Sequence, residues 1–141
     1  FDSELGQGWF YIPENVYIIG TMNDIDRSVE SFDFAMRRRF TWKEITAAES
    51  AENMNLPAES RRRMTKLNDE ISKIEGLNSS YHVGGAYFLT KNETYPDFEE
   101  LWELKLHPLL KEYVRGMPDA DSLPEKLRKA YNAAPNDENN G

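Results

Sequence analysis

Three consecutive arginines, Arg37, Arg38 and Arg39, are the residues of this 141-residue chain whose types and spacing most directly suggest chemistry. A guanidinium group is permanently charged and presents a rigid fork of donors that matches phosphate and carboxylate oxygens. A polar stretch at residues 21–28, which includes Asn23, precedes the arginines. The amide of an asparagine can donate and accept hydrogen bonds beside a phosphate without adding charge. The two stretches together point to an anionic partner, either a bound phosphate or an acidic neighbour.

An apolar, mostly β-branched run at residues 16–20 must position the polar stretch that follows it. Such a run predicts a buried strand of an α/β sheet, apolar on both faces. Residues 40–45 predict the next strand, and a short helix is expected between the two, over residues 31–38. In open α/β sheets ligands bind beyond the carboxyl ends of the strands, which is where the polar stretch lies. The fold class predicted for this part is therefore α/β.

These residues also match a known pattern. The run IIGTMNDIDRS, followed by FDFAMRRRF, resembles the sensor-1 and arginine-finger region of AAA+ ATPases. More narrowly it is similar to the McrB branch, the GTP-hydrolysing motor of modified-cytosine restriction systems. The segments FYIPENV, LNDEIS, GGAYF and LHPLLKEYV fit the same branch, so the likeness extends from Phe10 to about Leu127. The resemblance implies the end of an AAA+ P-loop NTPase core, with its last strands, followed by an α-helical lid subdomain.

The resemblance identifies four candidate catalytic residues, Asn23 and the three arginines. Asn23 takes the sensor-1 position, which helps to place the attacking water near the γ-phosphate, and the alternative is an asparagine that caps its own turn. The arginine finger, which acts on nucleotide held by a neighbouring subunit, falls within the triplet. Arg38 or Arg39 is favoured as the finger over Arg37. At least one of the three then serves as the ordinary basic end of a helix.

Asp26 and Arg27 follow the sensor position and are candidates for nucleotide binding. An aspartate can accept two hydrogen bonds from a guanine edge, but a residue next to sensor 1 lies near the phosphates and far from the base. A local ion pair or a subunit-interface pair is therefore the preferred interpretation of Asp26. Arg27 could reach a neighbouring subunit's nucleotide or pair with Asp24 or Asp33.

Residues 81–88 correspond to the part of an AAA+ lid that presents sensor 2, usually an arginine. This segment departs from the family pattern, because it contains His82 and no arginine. His82 is the sensor-2 candidate, with a partly buried structural histidine as the alternative. Gly84 and Gly85 could instead let backbone N–H groups approach a phosphate. The pattern leaves open whether the segment forms a hairpin or a loop that leads into a short helix.

Composition limits the remaining functions. The net charge of −8 argues against a chain that grips DNA by itself, and the absence of cysteine removes disulfides and thiolate metal sites. No apolar run approaches the ~20 residues that span a membrane, so we expect no membrane contact and a cytoplasmic location. The chain starts without methionine and lacks both a GxxxxGK[ST] phosphate loop and an Asp-Glu strand for magnesium. We therefore expect a fragment that is inactive alone and holds no nucleotide tightly.

Helical patterns dominate after residue 45, and we predict four segments. These are the core end (1–45), a linker (46–56), the helical lid (57–133) and a disordered tail (134–141). Thr46 and Glu49 have capping-box spacing for a brief helix, Asp97 and Glu100 have it for a later one, and Ser122 and Glu125 have it for the last helix. Pro108 predicts a kink or break. The predicted lid core consists of Met64, Leu67, Ile71, Leu101, Trp102, Leu109 and Tyr113, while Arg61, Arg62 and Arg63 are expected on a solvated face.

The function expected from the resemblance is that of an McrB-like motor driving DNA translocation and cleavage. Its cofactor would be GTP or ATP with magnesium, bound between subunits of a ring, which the resemblance implies is a hexamer. Its other partners would be a McrC-like nuclease and DNA, the latter gripped by another domain. One rival is an AAA+ remodelling ATPase of the MoxR or dynein-like branch, and another is a non-catalytic interaction module with the same fold.

Overall fold

The computed structural model describes residues 11–23, 25, 34–89 and 97–134, and within these residues the secondary structure is helical, with no strand. The α-helices are α1 (Phe34–Arg37), α2 (Ala47–Asn53), α3 (Ala58–Ile71), α4 (Phe98–Leu101), α5 (His107–Tyr113) and α6 (Leu123–Asn132). Two 3₁₀ turns (Ser79–Tyr81 and Gly85–Phe88) lie between α3 and α4, and a π-helical turn (Trp102–Leu106) joins α4 to α5. No helix in the described ranges is long and apolar enough to cross a membrane.

The helical bundle, which we define as α2 to α6 with their connecting turns, has a single hydrophobic core. α3 supplies Met64, Leu67 and Ile71, which are buried and spaced three and four residues apart, as one face of a helix requires. Pro57 lies just before the first helical residue, and Gly76 ends the following turn with a φ of +89°, which favours glycine. The lid core predicted at these three positions is therefore confirmed. The other buried apolar residues are Ala51, Leu56, Ile74, Leu77, Val83, Phe88, Leu101, Trp102, Leu106, Leu110, Val114, Leu127 and Tyr131.

Tyr131 of α6 lies at the centre of this core. Its ring is fully buried, with centroids 5.2 Å from Trp102, 6.4 Å from Phe88 and 6.5 Å from Phe98. Its hydroxyl donates a hydrogen bond to the carbonyl oxygen of Phe98 at 2.9 Å, which satisfies the one polar group that its burial brings inside. Burial also raises the pKa of Tyr131 to about 12. α6, which packs along α3, thereby ties the start of α4 to the same core.

The π-helical turn corrects one prediction about the core. The His107 N–H donates to the carbonyl oxygen of Trp102, five residues earlier, directly before Pro108, which has no N–H to continue an α-helical ladder. The break expected at this proline is thus a π-helical turn. The wider turn shifts the buried face by one residue, so that Leu110 is fully buried whereas the predicted Leu109 is only partly buried. Tyr113 is likewise partly buried, packed against the core.

α2 begins with the capping box predicted from the sequence. The Glu49 N–H donates to the Thr46 hydroxyl oxygen at 3.2 Å, and the Thr46 N–H donates to the Glu49 carboxylate at 2.9 Å. This helix packs against the second 3₁₀ turn and buries Ala51, and the residue Leu56 after it is also buried. Segment 46–56, predicted as a linker, therefore contributes to the core of the helical bundle.

The start of α6 differs from the prediction. The Ser122 side chain makes no capping bond to the helix, and its hydroxyl instead donates to the carbonyl oxygen of Asp119 at 3.2 Å. The capping box proposed for Ser122 and Glu125 is therefore wrong, although the helix does start at Leu123. It ends at Asn132, and of the predicted tail only Ala134 belongs to the described part of the chain.

Neither predicted strand forms within the described residues. Residues 16–20 and 40–45 carry no strand pairing, and the exposed fractions of Tyr17 and Ile19 are 88% and 92%. A strand is stable only when it pairs with a neighbour, and the described ranges supply no neighbouring strand. An uncovered apolar run of this kind therefore precedes a well-packed helical bundle in the chain.

Candidate functional site

The arginine triplet lies at the end of α1. Arg37 is the last helical residue, Arg38 and Arg39 form the turn after it, and all three are exposed. The turn is closed by the Arg39 N–H, which donates to the carbonyl oxygen of Met36 at 3.0 Å. Arg38 and Arg39 form no ion pair with any residue that the structure describes. Their two guanidinium groups are therefore open to a partner from outside the described chain.

Arg37 differs from its two neighbours because Trp42 packs against it. The indole N–H of Trp42 donates to the carbonyl oxygen of Arg37 at 2.8 Å. The Arg37 guanidinium carbon lies 5.7 Å from the centroid of the same ring, within the range of a cation–π contact. Sequence reasoning missed this residue, since the only available signal was an aromatic side chain five positions after a basic one.

Asn23 is exposed and lies in the loop after residues 16–20. Its side-chain oxygen accepts a long hydrogen bond, 3.4 Å, from the N–H of Ile25, as in an Asx turn. This contact matches the turn-forming alternative, although the side-chain nitrogen is not used in it, and a sensor-1 role stays a prediction. Asp26 and Arg27 lie outside the described residues.

His82 lies between the two 3₁₀ turns and is half-buried. Its ring nitrogen Nε2 is 2.7 Å from the hydroxyl oxygen of Ser72, the residue that follows α3. This hydrogen bond ties the segment to the end of α3 and gives His82 a structural role. A contact between His82 and a nucleotide stays a prediction.

Gly84 and Gly85 open the second 3₁₀ turn, but their surroundings differ. A Cβ added at Gly85 would lie 3.1 Å from the Cα of Ala51 and 3.2 Å from the Sδ of Met54, whereas one added at Gly84 would meet nothing within 4 Å. Gly85 is thus required for the close approach of this turn to α2. The space on the Cβ side of Gly84 is open, as an approach to a phosphate would need.

Asn68 holds the backbone of the same segment and was not identified from the sequence. This buried side chain donates from Nδ2 to the carbonyl oxygen of Val83 at 3.0 Å. Its Oδ1 accepts from the Val83 N–H at 2.7 Å. The amide thereby pairs with both polar groups of a buried peptide unit, which would otherwise be costly to leave unsatisfied. The available signal was a polar residue next to Leu67 on the apolar side of the helix.

Arg62 and Arg63 correct the prediction of a solvated basic face. Arg62 donates to the Glu59 carboxylate at 2.6 Å and to the carbonyl oxygen of Ala133, and this pairing lowers the pKa of Glu59 to about 2. Arg63 donates to Glu59 at 2.7 Å and to the Asn132 side chain, also at 2.7 Å. Both are partly buried, and they satisfy the end of α6, where cations are favoured.

A groove of about 480 Å³ follows the start of α3 and is lined by Leu56, Ala58, Arg61, Arg62, Thr65 and Lys66. None of the predicted site residues lines it. Among the described residues, no group of three or more histidines or carboxylates is arranged to hold a metal ion. The groove therefore has no connection with the chemistry that the sequence suggested.

The structure thus forms two separate groups from the predicted site residues. One is the exposed turn with Arg37, Arg38 and Arg39, and the other is the segment from His82 to Gly85, fixed by Asn68 and α2. Within the described ranges no hydrogen bond or ion pair joins them. Among the residues that the structure describes, neither group forms a complete site for a triphosphate.

Comparison with known proteins identifies the helical bundle. Residues 59–121 match the family model described as the McrB alpha-helical lid domain. The type IV methyl-directed restriction enzyme EcoKMcrB subunit of Escherichia coli (strain K12) is 38% identical over 133 residues, which cover 82% of this chain. The chain spans 29% of the length of that relative, and no solved structure matches it significantly. The chain is therefore McrB-like and carries the α-helical lid domain of the McrB family.

Proposed function

We propose that this chain is the end of an AAA+ α/β core joined to a helical lid, within an NTPase that resembles the McrB motor. The observation that carries the proposal is the uncovered apolar run at residues 16–20, next to a bundle that matches the lid domain. Exposing several large apolar side chains in succession is unfavourable, at about 25 cal/mol per Å². Pairing with further strands of a core sheet would cover them and would make both predicted strands.

In this proposal nucleotide is hydrolysed between subunits of a ring. GTP or ATP with magnesium is bound mainly by parts of the protein outside this chain. Arg38 or Arg39 stabilises the charge on the phosphoryl oxygens of the neighbouring subunit's nucleotide, and Asn23 positions water in its own subunit. Two observations support the preference for Arg38 or Arg39 over Arg37 as the finger. Arg37 packs on Trp42, whereas the guanidinium groups of Arg38 and Arg39 have no ion-pair partner in the described part of the chain.

The remaining candidates have secondary roles at the same nucleotide. Asp26 and Arg27 belong to the sensor loop, either as contacts to nucleotide or as a pair at the subunit interface. His82 takes the place of the missing sensor-2 arginine. The open backbone at Gly84 supports an approach to a phosphate more than the packed Gly85 does.

The Escherichia coli relative is a type IV methyl-directed restriction enzyme subunit, which supports a role in DNA restriction. The partners proposed on this basis are other copies of the same subunit in a hexameric ring and a McrC-like nuclease. DNA would be held by another domain, because the net charge of −8 on this chain disfavours contact with phosphates.

The test is nucleotide turnover by the whole protein, with GTP and ATP measured side by side. Replacing Arg38 or Arg39 by alanine should lower turnover ~10³-fold or more and leave nucleotide affinity nearly unchanged. Asn23→Ala should also slow turnover, but within the subunit that holds the nucleotide.

A mixing experiment separates action across the interface from action within one subunit. Subunits without the finger are mixed with subunits that lack only the phosphate-loop lysine. Recovery of part of the activity is expected, because some interfaces then combine an intact finger with an intact nucleotide site. No recovery from a ring that demonstrably assembles would refute the trans assignment.

A further inference from the structure

The turn after α1 is closed by a side chain as well as by the backbone. The last carbonyls of a helix have no partner within the helix and need one from elsewhere. At the end of α1 the carbonyl of Arg37 receives the indole N–H of Trp42 at 2.8 Å. The guanidinium of Arg37 lies 5.7 Å from the same ring. Backbone and side chain of one residue are therefore both held by one indole.

This closure encloses the two arginines favoured as the finger. Arg38 and Arg39 lie between Arg37 and Trp42 in the chain, and the bond from the Arg39 N–H to the carbonyl oxygen of Met36 at 3.0 Å closes the first half of the same turn. A long, charged side chain loses conformational entropy when it is held on one phosphate. A rigid backbone beneath the side chain lowers this entropic cost, because less freedom remains to be lost. The part of the chain that must be rigid is the part that Trp42 closes.

We propose that Trp42 is a positioning residue, which sets the direction of the Arg38 and Arg39 guanidinium groups and leaves Arg37 as their packed support. The inference rests on the proposed function of the triplet. Trp42 does not belong to the core of the helical bundle, and 47% of it is exposed. Replacing it therefore removes no core side chain from the bundle.

The closure itself is tested on the 141-residue chain by NMR. The indole N–H signal of Trp42 is assigned by its loss in Trp42→Phe, and its exchange with solvent is measured. Because the N–H is bonded to a carbonyl oxygen, it should exchange at least about tenfold more slowly than a free indole. Exchange at the free rate would overturn the inference at its first step.

The positioning role is tested in the whole protein by turnover and nucleotide affinity. Trp42→Phe keeps an aromatic ring and loses one hydrogen bond, so turnover should fall about fivefold. Trp42→Ala also loses the cation–π contact and should lower turnover about tenfold or more, with affinity unchanged. Leu104→Ala, at an exposed apolar residue outside both groups of site residues, is the matched control and should be neutral.

A combined variant separates this inference from the finger proposal itself. Since Trp42 acts through the arginines, Trp42→Ala should cause no further loss once Arg38 and Arg39 are alanines. A full additional loss, or a large loss of nucleotide affinity, would show that Trp42 acts elsewhere. If the arginine variants lower turnover and Trp42→Ala does not, only the positioning role is wrong. If the arginine variants themselves are neutral, both proposals fail together.

Discussion

Replacing Asn68 by aspartate exchanges the side-chain amide for a carboxylate. It tests the Asn68 clamp, by which we mean the two hydrogen bonds that hold Val83 in the segment from His82 to Gly85. In the native chain the amide donates to the Val83 carbonyl at 3.0 Å and accepts from its N–H at 2.7 Å. An ionised carboxylate keeps the second bond and loses the first. It also places an anionic oxygen against the carbonyl oxygen of Val83, in a buried position.

The expected cost at pH 7 is about 3 kcal/mol of unfolding free energy. An unsatisfied buried acceptor costs ~1–3 kcal/mol, and the buried charge adds a desolvation penalty of the same order. The remaining bond from the Val83 N–H becomes charge-assisted and offsets a part of this. The new carboxyl should accordingly have a pKa above its ordinary value in the folded state.

The destabilisation caused by Asn68→Asp should depend on pH, and the direction of this dependence can be derived. A carboxyl whose pKa is raised by folding destabilises the protein above its folded pKa, and the penalty disappears below its unfolded pKa. The protonated group also regains a donor for the Val83 carbonyl. The difference in unfolding free energy between native chain and Asn68→Asp, measured by urea denaturation at several pH values, should shrink between about pH 7 and pH 4. Taking this difference cancels losses common to both chains, such as protonation of Glu59, whose pKa is lowered to about 2.

Asn78 provides the matched control. Its side-chain oxygen accepts from the Ser80 N–H at 2.9 Å at an exposed position, where an aspartate can accept equally well. Asn78→Asp should therefore change stability by less than about 0.5 kcal/mol. The clamp would be refuted if Asn68→Asp were as mild as this control, or if its cost did not diminish on acidification.

Two further predictions concern packing, and both are checked by urea denaturation. Leu110→Ala should lower the free energy of unfolding by ~2–5 kcal/mol, and Leu109→Ala by less than half as much. The reason is that the π-helical turn buries only Leu110 completely. Equal losses in the two variants would contradict the shift of the buried face. Gly85→Ala should cost ~1–3 kcal/mol, because its Cβ would lie 3.1 Å from the Cα of Ala51. Gly84→Ala has open space and an ordinary φ of −82°, so a comparable loss at Gly84 would show that the close contact is not the cause.

The features that sequence reasoning predicted correctly depend on neighbouring residues. The Thr46–Glu49 capping box, the α3 stripe and the Asp97 cap, whose carboxylate accepts from the N–H groups of Glu99 and Glu100, each involve residues within a few positions of one another. Local spacing therefore contains all the necessary information. The McrB-like character also followed from short local motifs.

The features that were missed depend on residues far apart in the chain or on local geometry that spacing does not encode. Arg63 contacts Asn132, 69 positions away, and Asn68 contacts Val83, 15 positions away. Neither of these two contacts leaves a local pattern in the sequence. The shift from Leu109 to Leu110 comes from one π-helical turn, which a regular period of 3.6 residues cannot represent. The predicted strands depend on pairing partners that the described residues do not include.

The absence of a side chain at Gly85 has a mechanical consequence. A Cβ at this position would lie 3.1 Å from the Cα of Ala51, so the second 3₁₀ turn packs against α2 with no room for a side chain between them. The capping box at Thr46 stabilises the first turn of α2 against fraying. Since α2 follows residues 40–45 in the chain and packs against the second 3₁₀ turn, we expect a displacement of residues 40–45 to be felt in the segment from His82 to Gly85.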